Sequence, residues 1–156
     1  MEKEIQVGKK AKDFTLKDQN GIDFTLSQMK GKRVLLSFHP LAWTSVCALQ
    51  MQSLEKNKKA FDKLNCVAVG LSVDSLPCKR AWAKELKIKN TSLLADFWPH
   101  GKVAKTLGIF REKEGFSERA NIIFDEKGKA IFVKTYPIRE LPDIQEILNF
   151  LKASSS

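Results

Sequence analysis

Two continuous apolar runs limit the fold of this chain more than any other feature of its sequence. One run is Arg33–Phe38 and the other is Cys66–Val73, and neither alternates polar with apolar residues. Such runs are typical of strands buried on both faces, as in a parallel sheet. Parallel strands need a long crossover connection, and residues 46–64 between the two runs carry apolar side chains at helical spacing. The sequence therefore predicts an α/β fold.

The rest of the chain continues this alternation of strands and helices. The other predicted elements are a hairpin that turns at Asn20-Gly21, a helix that starts at Asp74–Pro77, a short strand at Ser92–Ala95, a helix over Lys102–Leu107, a hairpin of strands Ala120–Phe124 and Ala130–Tyr136, and a last helix opened by Pro142. No repeat or linker divides them. We expect one three-layer α/β domain over residues 1–156, with its core at about 8–151 and a mixed sheet covered by helices on both faces.

The charge and hydropathy of the chain narrow the classes of protein it belongs to. Its formal charge is +9, but only five of the 27 basic residues are arginines and the lysines are spread along all 156 residues. This pattern favours a solubilising surface over nucleic-acid binding, with a basic binding module as the alternative. No apolar run reaches the ~18–20 residues of a membrane span, and the charged N-terminus does not resemble a secretory signal. We therefore predict a cytoplasmic protein without a membrane partner.

The three cysteines, Cys47, Cys66 and Cys78, are arranged as individual thiols. They include no Cys-x-x-Cys pair, and His39 and His100 do not lie at zinc-finger spacing from them. The pattern predicts no metal and no cofactor, and it argues against a disulfide reductase of the thioredoxin type. Cys66 begins a buried strand and is expected to be a core residue.

Cys47 occupies a position where a thiol becomes reactive. The Arg33–Phe38 strand leads into a loop, and Thr44 or Ser45 is expected to cap the helix that follows, which places Cys47 in its first turn. Free backbone N–H groups and the helix dipole there favour the thiolate, which is the nucleophilic form. Thr44 is expected to place its hydroxyl beside the sulfur, and Pro40 to exclude water. Placement alone leaves an inert buried cysteine as an equal alternative.

The segment that ends at Cys47 resembles a known family signature. The residues Pro40-Leu-Ala-Trp-Thr44-Ser-Val-Cys47 are similar to the Pro-x-x-x-Thr-x-x-Cys signature of the peroxiredoxins. The strand end Gly70–Asp74, the loop Asp96–Pro99 and Arg119 fit the same pattern, so that the resemblance runs from about Gly8 to Leu151. It implies a thioredoxin-like fold and a thiol-dependent peroxidase that reduces hydrogen peroxide and organic hydroperoxides.

The resemblance also implies roles for single residues. Cys47 corresponds to the peroxidatic cysteine, whose thiolate attacks the peroxide and becomes a sulfenic acid. Thr44 corresponds to the residue that hydrogen-bonds peroxide and thiolate, Arg119 to the guanidinium that holds the thiolate and polarises the O–O bond, and Pro40 to the shield over the sulfur. Without the motif, Arg119 would be interpreted as a surface ion-pair residue.

The fate of the sulfenic acid is the remaining mechanistic question. Cys78 resembles the resolving cysteine of the thiol peroxidase subgroup, although it lies about one helical turn earlier. This implies an intramolecular Cys47–Cys78 disulfide that thioredoxin or a similar dithiol reduces. The alternatives are a one-cysteine enzyme recycled by an external thiol and a Cys78 that only packs beside Trp82 and Leu86. A homodimer is also expected from the resemblance.

Other aromatic and imidazole side chains are assigned without a direct part in the chemistry. His39 is expected to be a hydrogen-bonding loop residue near the site, and His100 a structural residue. Trp43, Phe97 and Trp98 are expected in the core, at the rim of the site or at a subunit interface, with no preference among the three.

Overall fold

A computed structural model describes residues 3–154. It has nine strands, five α-helices and one 3₁₀ helix at Leu26–Met29 within this range. In chain order the elements are β1 (Thr15–Lys17), β2 (Asp23–Thr25), β3 (Arg33–Phe38), α1 (Ser45–Lys56), α2 (Lys58–Lys63), β4 (Cys66–Ser72), α3 (Leu76–Leu86), β5 (Ser92–Ala95), α4 (Lys102–Thr106), β6 (Phe110–Arg111), β7 (Phe116–Ser117), β8 (Arg119–Phe124), β9 (Ala130–Tyr136) and α5 (Ile144–Ala153).

A five-stranded mixed sheet forms the middle layer, in the spatial order β5-β4-β3-β8-β9. Strands β3, β4 and β5 run parallel, while β8 lies antiparallel to both β3 and β9. The predicted parallel pair is thus confirmed as the centre of the sheet. At the carboxyl end of β3, Phe38 pairs with Leu71 of β4 and with Ala120 of β8. This register brings Arg119, the first residue of β8, to the end of the sheet where the chain leaves β3.

Each face of the sheet carries its own apolar layer. Val34 and Leu36 pack in one cluster with α4 and the β1–β2 hairpin, whereas Leu35 packs in the other with α1, α2, α3 and α5. Successive strand residues point to opposite faces, so the continuous apolar run of β3 supplies both layers. The predicted three-layer α/β arrangement, with its N-terminal hairpin, is confirmed.

The segment predicted as one helix over residues 46–64 is two helices, and that prediction is wrong at Asn57. The backbone of Asn57 has φ −103° and ψ 15°, which ends α1 before α2 begins. Its side-chain amide donates to the carbonyl oxygen of Ser53 at 2.8 Å. Asparagine competes for backbone hydrogen bonds in this way, and the competition offsets the helical spacing of the apolar residues around it.

Two other local expectations also need correction. Pro142 does not open α5, because Asp143 is its N-cap and accepts a hydrogen bond from the Gln145 N–H at 2.9 Å. Aspartate is favoured at an N-cap because its carboxylate accepts a hydrogen bond from a free backbone N–H group of the first turn. The proline side chain has no such acceptor. The β6–β7 hairpin was not expected, because its strands have two residues each and show no periodicity. Among residues 3–154, no helix is both long and apolar enough to cross a membrane.

Candidate active site

Cys47 lies in the first turn of α1, as predicted, and is fully buried. Strand β3 ends at Phe38, a short loop follows, and Thr44 is the N-cap residue of α1. The loop is sharply bent, because Trp43 has a positive φ of 68°. The sulfur thus sits beside the open N–H groups of a helix start, where negative charge is favoured.

Arg119 supplies a fixed positive charge to the Cys47 sulfur. Its Nη1 lies 3.4 Å from Cys47 Sγ and donates to Gln50 Oε1 at 2.7 Å, while its Nε donates to the carbonyl oxygen of Ile138 at 2.9 Å. The guanidinium is almost completely buried. A buried guanidinium at this distance stabilises negative charge that develops next to it, because little water screens the interaction. The structure therefore places Arg119 in the site and not in a surface ion pair.

A chain of buried hydrogen bonds extends from Arg119 to the surface. Gln50 Nε2 donates to Ser37 Oγ at 2.8 Å, and Ser37 Oγ donates to Asn121 Oδ1 at 2.8 Å. Asn121 Nδ2 lies 3.3 Å from the hydroxyl of Tyr136, which donates to a carboxylate oxygen of Glu146 at 2.7 Å. Such a network holds its members in single rotamers, since each alternative rotamer leaves a buried polar atom unpaired.

Thr44 and Pro40 flank the sulfur in different ways. Pro40 is buried two residues after the end of β3, which suits the predicted shielding. Thr44 is exposed, and its hydroxyl donates to the carbonyl oxygen of Leu41 at 2.8 Å. In the structure the acceptor of this hydroxyl is the loop carbonyl, and its expected placement beside the sulfur stays a prediction. The role of Thr44 toward a peroxide stays a prediction.

Cys78 is a free thiol in the first turn of α3 and is partly buried. Burial and the nearby Asp74 carboxylate raise its pKa, and its Sγ lies 3.8 Å from Asp74 Oδ1. The other carboxylate oxygen of Asp74 accepts from the Ala42 N–H at 2.8 Å. Asp74 thus joins the loop before Cys47 to the turn that carries Cys78. The thiol form of Cys78 is favoured in this state of the protein.

His39 and Lys79 form a buried pair next to these residues. Lys79 Nζ lies 2.9 Å from His39 Nε2, and both side chains are fully buried. Burial and the neighbouring Lys79 hold the pKa of His39 well below its usual value, so the imidazole is neutral. Burial lowers the pKa of Lys79 to about 7. The expected hydrogen-bonding role of His39 near the site is seen, and its partner is a lysine.

Comparison with known proteins places this geometry in a family. The AhpC/TSA family model matches residues 7–133. The chain belongs to the AhpC/TSA family of peroxiredoxins. It is 36% identical over 140 residues to alkyl hydroperoxide reductase E of Mycobacterium tuberculosis, which covers 89% of this chain and 91% of the relative. It is 33% identical to peroxiredoxin-1 of Gekko japonicus, over 94% of this chain and 78% of the relative.

The structural comparison agrees with the sequence relatives. The reduced 2-Cys peroxiredoxin of Plasmodium vivax superposes with a TM-score of 0.85 at 28% identity, covering 94% of this chain and 80% of that one. The predicted peroxiredoxin resemblance and thioredoxin-like fold are confirmed. The chain is a peroxidase, and this conclusion takes precedence over the basic binding module considered from its charge.

Two polar residues of the peroxiredoxin site were not found from the sequence. Gln50 lies three residues after Cys47, and Lys79 lies three residues before the buried Trp82. A spacing of three places each of them on the same helix face as a buried residue, and this spacing was the signal in the sequence that could have predicted their burial. Polar side chains of this size are usually exposed, so composition argues against such positions.

The aromatic residues near the peroxiredoxin loops are not core residues. Trp43, Phe97 and Trp98 are 56%, 49% and 79% exposed, which leaves the rim and the interface as their interpretations. Cys66 is buried, and burial raises its pKa to about 12, as suits the expected core residue. The exposed His100 lies 2.7 Å from the carbonyl oxygen of Gly115 through its Nε2, which suits a structural role.

Proposed function

We propose that this peroxidase reduces hydroperoxides through the Cys47 thiolate. The observation that carries the proposal is the Arg119 guanidinium 3.4 Å from a buried sulfur at a helix N-terminus. The thiolate attacks one peroxide oxygen, the S–O bond forms as the O–O bond breaks, and the leaving alkoxide or hydroxide takes up a proton. Cys47 becomes a sulfenic acid and the peroxide becomes an alcohol or water.

The residues around Cys47 suit the charge changes of this step. Negative charge moves from the sulfur to the leaving oxygen, and Arg119 together with backbone N–H groups of the first turn of α1 stabilises it at both places. In the proposal, Thr44 hydrogen-bonds the bound peroxide after its hydroxyl leaves the Leu41 carbonyl, and Pro40 keeps water from the sulfur. These roles follow the family signature in the sequence.

For recycling we propose that Cys78 resolves the sulfenic acid. Its thiolate attacks Cys47 Sγ, the S–O bond breaks, water leaves after protonation, and a Cys47–Cys78 disulfide forms. A dithiol reductant such as thioredoxin then supplies two electrons and two protons. The position of Cys78 in a helical first turn, joined to the Cys47 loop through Asp74, supports this route. The raised pKa of Cys78 favours the alternative, in which an external thiol resolves the sulfenic acid.

The decisive experiment is the intact mass of the reduced protein after one equivalent of hydrogen peroxide, with peptide mapping under non-reducing conditions. Loss of two hydrogen atoms that maps to Cys47–Cys78 is the expected result. Added oxygen on Cys47 alone supports the one-cysteine route. An unmodified Cys47 contradicts the proposed chemistry.

Matched cysteine variants separate the two steps. We expect Cys47→Ser to abolish peroxide reduction, and Cys78→Ser to retain the first oxidation but to lose turnover with thioredoxin. Cys66→Ser, which removes a core thiol, is the control and should retain both. Full thioredoxin-dependent turnover of Cys78→Ser would rule out its resolving role.

The exposed aromatic residues support a proposal about assembly. We propose that a second copy of the chain covers Trp43, Phe97 and Trp98, because isolated soluble chains seldom expose several large aromatic side chains. Sedimentation equilibrium should show a dimer for the parent protein and a monomer for Trp98→Glu. A monomeric parent protein at micromolar concentration contradicts the proposal.

A further inference from the structure

Asp74 contacts both of the segments that carry the cysteines of the proposed disulfide. It lies two residues after the end of β4 and is partly buried. Its Oδ2 accepts from the Ala42 N–H at 2.8 Å and from Ser72 Oγ at 2.5 Å, and its Oδ1 lies 3.8 Å from Cys78 Sγ. Ala42 belongs to the loop that leads into α1, and Cys78 to the first turn of α3. A single carboxylate therefore connects the two segments.

The two oxygens of the Asp74 carboxylate have different partners. Two donors fix the position of Oδ2, whereas among residues 3–154 the hydrogen-bond partner of Oδ1 is the Cys78 thiol. An ionised carboxylate oxygen only accepts hydrogen bonds, so this contact requires a proton on the sulfur. A thiolate at the same place would face a negative charge 3.8 Å away. The contact therefore selects the thiol form of Cys78.

Two other groups near Cys78 act in the opposite direction. The Trp43 side chain and Lys79 act to lower the pKa of the Cys78 thiol, but burial and the Asp74 carboxylate outweigh them and the pKa is raised. The Nζ of Lys79 lies 2.9 Å from His39 Nε2, so its hydrogen bond is made to the imidazole. Asp74 is thus the charged group whose contact with the sulfur decides the form of Cys78.

The thiol form of Cys78 does not attack the sulfenic acid, because the thiolate is the nucleophile. In the proposed resolution, the Cys78 thiolate attacks Cys47 Sγ, the S–O bond breaks, and the leaving hydroxide takes up a proton to become water. The proton that the Cys78 thiol loses balances the proton that the hydroxide gains. Cys78 is oxidised and the sulfenic sulfur is reduced. The step requires that Cys78 leave Asp74 and lose its proton.

We propose, on the basis of the proposed function, that Asp74 is a positioning residue that slows resolution by holding Cys78 as the thiol and the Cys47 loop in its reduced position. Both contacts oppose the same step. The Sγ–Oδ1 contact is lost when Cys78 enters the disulfide, and the bond to the Ala42 N–H restrains the loop before α1 while Cys47 moves. The sulfenic acid therefore lasts longer than it would beside a neutral residue, and external thiols have time to compete for it.

Asp74→Asn tests the proposal with little change of shape. Its amide oxygen can still accept from the Ala42 N–H, while its amide N–H₂ donates toward the sulfur and favours the thiolate. Reduced full-length protein is mixed with one equivalent of hydrogen peroxide, quenched with acid at intervals and alkylated, and the free Cys47 and Cys78 peptides are quantified by mass spectrometry. We expect the Cys78 thiol to disappear about three to ten times faster than in the parent protein at neutral pH, with the pH profile moved to lower pH. Asp62→Asn, which removes an exposed carboxylate on α2, is the matched control and should behave as the parent does.

A second measurement does not depend on disulfide formation. Alkylation of Cys78 by iodoacetamide in the reduced protein, followed across pH, reports its thiolate directly. We expect faster alkylation in Asp74→Asn and in Asp74→Ala, a second neutral variant, and a rate closer to that of the parent protein in Asp74→Glu, which keeps the charge. Thermal melts show which variants are folded.

The outcomes separate the role of Asp74 from the proposed function. If the Cys78 thiol of the folded neutral variants reacts at the parent rate or more slowly at every pH, the proposal for Asp74 is overturned. If Cys47 is oxidised but the parent protein forms no disulfide, the resolving role of Cys78 and the role of Asp74 in it both fail, while the peroxidase chemistry stands. If Cys47 is not oxidised, the proposed function itself fails.

Discussion

At the scale of single residues, the geometry of the site depends on buried polar atoms that their hydrogen bonds hold in place. Arg119 uses its Nε on the Ile138 carbonyl and shares Nη1 between Cys47 Sγ and Gln50 Oε1. A guanidinium fixed at two places cannot turn away from the sulfur without leaving buried groups unpaired. Gln50 is therefore as much a part of the environment of the Cys47 sulfur as the arginine is.

Gln50→Leu tests this role. Removal of the acceptor frees Nη1 from the contact that orients it, so we expect Cys47 to be oxidised about tenfold more slowly, equivalent to ~1.4 kcal/mol of barrier. Gln52→Leu on the same helix is the control, because Gln52 has no described bond to the site. The measurement is single-turnover loss of the Cys47 thiol with hydrogen peroxide. Equal rates for the two variants would contradict the role of Gln50.

The sequence predicts the site residues that a motif marks by residue type. It misses the site residues that become part of the site only through burial in the fold. Cys47 and Arg119 could be predicted because a family signature and a helix start point to them. Gln50 and Lys79 could not, because glutamine and lysine at such positions are ordinarily exposed and their burial depends on contacts from distant parts of the chain. His39 was placed near the site, but its partner on α3 lies forty residues away in sequence.

At the scale of elements, side-chain hydrogen bonds decide where helices and strands meet. Glu55 near the end of α1 accepts from the N–H groups of Lys89 and Asn90 and from the hydroxyl of Thr91, at 3.0, 3.1 and 2.8 Å. These bonds fix α1 to the turn that leads into β5. Burial acts to raise the pKa of Glu55, but the hydrogen bonds outweigh it and the pKa is lowered.

Glu55→Gln should therefore destabilise the protein in a pH-dependent way. Because the folded pKa lies below the unfolded one, the carboxylate contributes stability above its unfolded pKa, and the contribution is lost as pH falls through the folded pKa. We expect a cost of about 1 kcal/mol in the free energy of unfolding at neutral pH, since the group is partly solvated. Urea unfolding of both proteins from neutral to acidic pH should show this difference shrink. A constant difference would contradict the assignment, and Glu85→Gln on α3 is the exposed control.

Element boundaries were predictable where the local sequence signals agreed with one another. Helix α3 starts within Asp74–Pro77 as expected, with Pro77 in its first turn, and the structure adds Ser75 as the N-cap residue. Asn57 interrupts a segment whose apolar spacing favours one helix, and Asp143 displaces Pro142 as the start of α5. In both cases a side-chain hydrogen bond competed with another sequence signal, the apolar spacing around Asn57 or the proline at 142. That signal alone does not show where the helix begins or ends.

At the scale of the whole molecule, the two cysteines of the proposed disulfide lie on helices while Arg119 lies on the sheet. Cys47 is fully buried and Cys78 partly so, each in a first turn. The five strands of the central sheet are joined by four ladders, and its middle strands β3 and β8 are buried along their whole length. A disulfide requires Cα atoms within about 7 Å of each other in a defined orientation, so the helical first turns are the parts free to adjust.

Hydrogen exchange of the reduced and the peroxide-treated protein tests whether the helical first turns adjust while the sheet keeps its structure. We expect faster amide exchange after oxidation in residues 42–48 and 74–80, and unchanged exchange in β3, β4 and β8. Cys78→Ser, which cannot form the disulfide, should show no such increase. Equal protection in both redox states of the parent protein, with the disulfide verified by mass, would contradict local unwinding.

The bond from Arg119 Nε to the Ile138 carbonyl has a consequence for recovery between turnovers. It does not involve the sulfur, so it persists when Cys47 departs to form the proposed disulfide. After reduction, the returning sulfur meets a guanidinium already in place, and the rearrangement that remains is the rewinding of the first turns of α1 and α3. In the proposed cycle, the lag before the next turnover is then governed by the rewinding of these two turns and not by reassembly of the groups around the sulfur.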